Sequence, residues 1–87
     1  MIYPTDHFCD QWRAEIGPDL PSPEDIGRMV AESVYCQQYR DLFTPRGRRY
    51  RVLAVYWHPE RDLVLKIDEH DNRAVTVLTP LTRERRA

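Results

Sequence analysis

Apolar residues in the first part of the chain recur at helical spacing. Phe8, Trp12 and Ile16 stand four apart, and Ile26, Met29, Val30 and Val34 form a second stripe of the same kind. Thr5 and Asp6 are cap residues ahead of the first stripe, and Gly17-Pro18 stops it at Ile16. Ser22-Pro23-Glu24-Asp25 opens the second with a capping hydroxyl, a proline where a helix has no use for an N–H, and acids facing the positive dipole end. From Tyr35 the period shortens to that of strands. A weakly patterned strand is expected over residues 37–43, a turn at Thr44-Pro45-Arg46-Gly47, and over 50–57 a strand apolar on both faces, as a central strand is. His58-Pro59-Glu60-Arg61 turns the chain, after which Leu63, Leu65 and Ile67 alternate with Val64, Lys66 and Asp68. Glu69-His70-Asp71-Asn72 turns it again into a last strand, residues 73–79, ending at Pro80. Helices first and strands second predict an α+β fold: two N-terminal helices packed on a four-stranded antiparallel β-meander, with Ile2-Tyr3 available as a short added edge.

The chain of 87 residues is one domain's length, and its end, residues 79–87, is expected to fray. No apolar run approaches the roughly 20 residues of a membrane span, so a soluble protein is expected. The opening Met1-Ile2-Tyr3-Pro4-Thr5-Asp6 lacks a secretory pattern, which points to the cytoplasm. Cys9 and Cys36, both assigned to helices, are then expected as reduced thiols rather than a disulfide. There is no Cys-x-x-Cys pair, glycine-rich phosphate loop or nucleophilic serine motif, so no cofactor is expected. Asp68-Glu69-His70-Asp71 concentrates hard-metal ligands without the spacing of a metal loop and reads as a hairpin turn, so no metal is expected either.

Charge changes this picture most. The net charge is −1, but residues 1–36 carry seven acids against two bases, whereas residues 37–87 carry eleven bases against seven acids. Arg40, Arg46, Arg48, Arg49 and Arg51 meet only Asp41 within one predicted hairpin. Guanidinium groups stay charged and fork onto phosphate or carboxylate oxygens, so an anionic partner is the first idea to test. Tyr39, Tyr50, Tyr56 and Trp57 interleave with these arginines and could stack on unpaired bases, although core packing and cross-strand pairing explain them equally well. On a strand, period two sends part of the cluster away from any single ligand. His7, in the first helical turn, is disfavoured as an imidazolium by the dipole and could serve as a neutral base. Its plainer reading is packing on Phe8 or a hydrogen bond to Asp10 or Gln11.

Three stretches carry a family likeness: Thr5-Asp6-His7, Pro21-Ser22-Pro23-Glu24-Asp25-Ile26 and Ala74-Val75-Thr76-Val77-Leu78-Thr79-Pro80. They resemble a group of small bacterial domains of unknown function related to the BrnT and RelE ribonuclease toxins. The resemblance implies helices on one face of a curved antiparallel sheet, RNA on the open face, and an antitoxin protein as partner. It implies RNA cleavage without a metal, the 2′-hydroxyl acting as internal nucleophile. Carried onto this chain, His7 would be the acid–base group, Arg51 the electrostatic clamp, and Thr76 or Thr79 a donor to phosphate. Arg40, Arg46, Arg48, Arg49 and Tyr50 would line the RNA. Two features depart from that pattern. The chain is slightly acidic, which weakens general attraction to RNA, and Arg83, Arg85 and Arg86 lie beyond the last strand, so the family's C-terminal catalytic position has no secure counterpart. These departures also fit a degenerate, non-cutting relative of the toxins, and the competing reading is a non-catalytic module that uses the same sheet face to hold a protein or nucleic acid.

Overall fold

Each helix begins where its cap chemistry places it. A computed structural model describes residues 1–43 and 49–80, with side chains through Arg40 and from Arg51 onward. A short strand β1 (Tyr3–Pro4) precedes helix α1 (Asp6–Glu15), whose cap Thr5 accepts the Phe8 N–H. Helix α2 (Pro23–Ala31) starts on a reciprocal capping box: the Asp25 N–H donates to Ser22 Oγ and the Ser22 N–H to Asp25 Oδ2, both at 3.1 Å. The strands that follow are β2 (Val34–Phe43), β3 (Arg49–His58), β4 (Leu63–Asp68) and β5 (Arg73–Leu78).

The α+β class holds, and the sheet is larger than a four-stranded meander. Its order is β1-β5-β4-β3-β2, with four antiparallel strands in meander order and β1 added parallel to β5. The N-terminal segment therefore supplies a fifth strand, and the sheet is mixed. Helix α2 ends three residues before Val34, which belongs to β2 rather than to the helical stripe. Cys36 likewise sits in β2, exposed, while Cys9 is half-buried in α1; both are free thiols. The expected turn at Thr44-Pro45-Arg46-Gly47 and the tail from residue 81 lie outside the described residues. Thr79, placed in the fraying tail by sequence, is buried.

Register divides the sheet into two faces. Leu65 pairs with Tyr56 on one side and Val77 on the other, and Ile67 pairs with Ala54 and Ala74, so these residues point the same way. They meet Phe8, Trp12, Ile26 and Met29 from the helices in one core cluster, with Tyr56 packed at its margin. Leu53, Val55, Lys66, Thr76 and Leu78 alternate with them and face the other way.

The two edges of the sheet are treated differently. Two-residue β1 can cover only the start of β5, and polar groups from α1 take over from there. The Thr5 N–H donates to the Ala74 carbonyl, the Thr5 hydroxyl reaches the Val75 carbonyl, and Gln11 Oε1 accepts the Val77 N–H at 3.0 Å. At the other margin β2 has no neighbour beyond it among the described residues.

Candidate functional site

The two meander turns among the described residues share one construction. At the end of β3, His58 Nδ1 accepts the Arg61 N–H at 3.2 Å; at the end of β4, Asp68 Oδ1 accepts the Asp71 N–H at 3.2 Å. Each turn closes on a residue with positive φ, Asp62 at 52° and Asn72 at 54°, the side chains that best tolerate the left-handed region after glycine. The acid-rich segment is thus a turn held by its own side chains. Among the described residues no group of three His, Cys, Asp or Glu is placed to hold a metal ion.

The larger cleft, of about 730 Å³, lies where the second of these turns meets β2, β3 and the start of α1. Val52 and Ala54 line it together with Arg51, Arg73, Asp68 and Glu69. Among the described residues three acids, Asp68, Glu69 and Asp71, face two arginines around it, so its lining is of mixed charge. Beside it the Tyr56 hydroxyl donates to Glu69 Oε2 at 2.9 Å, and Tyr35 meets the Tyr56 ring edge-on at 5.6 Å. Burial first, then the hydrogen bond and negative charge of Glu69, push the Tyr56 hydroxyl above the ordinary tyrosine value.

A second cleft, of about 550 Å³, holds a group that sequence reasoning passed over as turn chemistry. His58 is 2% exposed, and its Nε2 lies 3.3 Å from Oε1 of Glu32, the C-cap of α2. An N–H can only donate, so Nδ1 is the unprotonated nitrogen and Nε2–H faces the carboxylate. Both ring nitrogens are engaged within the protein, and the imidazole ties the β3–β4 turn to the end of α2. The available signal was positional: a histidine directly before proline at the end of an apolar strand.

Among the described residues, those singled out by sequence do not gather in one place. His7 is exposed on α1 and lines neither cleft. Gln11, offered as its helical partner, is instead bound to β5. Arg51 lines the larger cleft. Thr76 and Thr79 are each 8% exposed, and Thr76 pairs with Lys66 on the face turned away from the helix that carries His7. No protein-family model, no curated protein and no solved structure matches this chain. The likeness to the BrnT and RelE group accordingly stands on the short motifs that suggested it.

Of the arginine cluster, Arg40 is exposed on β2, Arg49 and Tyr50 are in β3, and Arg46 and Arg48 lie outside the described residues. The aromatics are largely engaged: Lys66 Nζ stands 5.1 Å from the centre of the Tyr39 ring, and Trp57 Nε1 donates to Asp62 Oδ1 at 2.8 Å. Exposed apolar side chains stand at both margins of the sheet, Tyr3 in β1 and four on β2 and β3, where Val34 and Trp57 occupy one face and Tyr35 and Val52 the other. Val34, Tyr35 and Val52 are each about half exposed and Trp57 is 39% exposed, all on the neighbouring strands β2 and β3.

Proposed function

We propose that this chain is a non-catalytic binding module that recognises a protein partner through the outer half of its sheet, β2 and β3 with the cleft they border. One observation carries the reading: exposed apolar side chains border the β2 margin of the sheet on both faces, Val34 and Trp57 on one and Tyr35 and Val52 on the other, while the candidate catalytic groups are dispersed. Metal-free cleavage of RNA needs a base at the 2′-hydroxyl, an acid at the leaving oxygen and a cation at the phosphorane, all within reach of one phosphate. The position of His7 on α1, of Thr76 on the opposite face of the sheet, and the burial of Thr76 and Thr79 support the non-catalytic reading. Charge favours the same reading. At a net charge of −1 the chain has little general attraction for a polyanion, and a cleft lined by Asp68, Glu69, Arg51 and Arg73 suits mixed polar protein surface better than phosphates in series.

The test is a cleavage assay with the purified full chain on single-stranded RNA in chelator. Intact RNA is expected for wild type and for His7→Ala alike. Cleavage by wild type that His7→Ala abolishes would overturn the reading and restore the ribonuclease, with an antitoxin protein as its partner.

A further inference from the structure

We propose that His58 is an acid-released latch: when its imidazole takes up a proton, its hold passes from the β3–β4 turn to the end of α2, and the turn opens. This goes beyond the binding reading and does not depend on it.

Two groups compete for one lone pair. Nδ1 accepts the Arg61 N–H at 3.2 Å while Nε2–H faces Glu32 Oε1 at 3.3 Å, so the neutral ring has a single site left for a proton, and the turn already occupies it. A proton on Nδ1 makes that nitrogen a donor, and two donors do not share a hydrogen bond. The Arg61 contact must break. On the other side of the ring the Glu32 contact changes from a neutral donor to a charged pair and strengthens.

The surroundings admit the charge. Asp25, Arg28 and Glu32 from α2, Asp19 from the segment between the helices, and Glu60 and Arg61 from the turn line the cleft beside the ring. Arg28 is joined to Asp25 at 3.2 Å, and Asp62 in the turn accepts the Trp57 indole N–H. From α1 comes Trp12, whose indole N–H goes to the Asp19 carbonyl, and from β4 the apolar Leu63, opposite His58. An imidazolium would thus meet four acids and two arginines in this cleft, Glu32 in direct contact, which offsets part of the loss of water around a ring 2% exposed.

The other described turn supplies the contrast. Asp68 Oδ1 accepts the Asp71 N–H at the same 3.2 Å, and Asn72 closes that turn with the backbone conformation that Asp62 adopts in the first. A carboxyl group keeps an acceptor oxygen whether or not it is protonated, whereas a protonated imidazole keeps none. Of two turns built alike, only the one held by a histidine is made to open with acid.

NMR of the ¹⁵N-labelled full chain, taken from about pH 7.5 to about pH 5.5, tests this. At the upper pH the ring should carry its proton on Nε2 and leave Nδ1 bare. On acidification Nδ1 should become protonated, and over the same range the protection factor of the Arg61 amide should fall about tenfold or more while that of Asp71 holds. His58→Asn keeps an acceptor oxygen without a titrating group, so Arg61 protection should no longer depend on pH. Glu32→Gln keeps an acceptor but removes the charge, and the loss at the lower pH should shrink. The wild-type comparison of the two turns decides the matter even where His58→Asn does not fold. A ring still neutral at the lower pH, a charged ring that leaves Arg61 protected, or an equal loss at Asp71 would each overturn the proposal.

Discussion

Single side chains here hold turns and caps more than they offer chemistry. The Ser22 backbone N–H, followed by the Ser22 hydroxyl and the Arg28 guanidinium, holds the Asp25 carboxyl below the ordinary aspartate value, as the acceptor of a capping box should be. Asp68, part of the only metal-like run in the sequence, is spent on the Asp71 N–H instead. Tyr56 lends itself to measurement. Its hydroxyl is raised because the neutral form is the one that burial and Glu69 favour, so the associated stability is fully present below the unfolded tyrosine value of about 10 and is lost as pH rises through the folded value. Absorbance titration of tyrosine should show one residue ionising late. Glu69→Gln should bring it back toward the ordinary value without reaching it, because burial persists; an unchanged titration would remove Glu69 from the cause.

At the scale of elements, the α1 stripe and the central strands do most of the packing. Phe8 is fully buried and stacks on Trp12 with ring centres 5.9 Å apart. Phe8→Ala should therefore cost about 3–5 kcal/mol, a large share of what so small a domain possesses. Val52→Ala, at a side chain half exposed on β3, should stay within about 0.5 kcal/mol. Urea denaturation of both variants checks the contrast, and comparable losses would mean that the outer half of the sheet is as well packed as the helical face. Both helix starts were legible because their signals are local: Thr5, Ser22 and Pro23 act on backbone groups within one turn. The end of α2 was less so, since Val34 continues the helical spacing and only its pairing with Trp57 shows it to be a strand residue.

For the whole molecule, stability should fall from the middle of the sheet toward β2. β4 is bonded on both sides and packs Leu63, Leu65 and Ile67 under the helices, whereas β2 is bonded on one side only among the described residues. Amide exchange at low protein concentration should find β4 slowest and residues 34–40 of β2 fastest; equal protection of the two strands would contradict this gradient. The order of helices and meander strands, both caps, the two described meander turns and the α+β class follow from the sequence by itself, because period, capping and turn chemistry act between residues a few positions apart. Tertiary structure alone decided the rest. It turned Tyr3–Pro4 into a parallel strand, bound Gln11 to β5 across 66 positions, buried His58 against Glu32, and put Thr76 on the face away from His7. Which side chains converge depends on register and on which face each helix covers, and those are settled by contacts between segments distant in the chain.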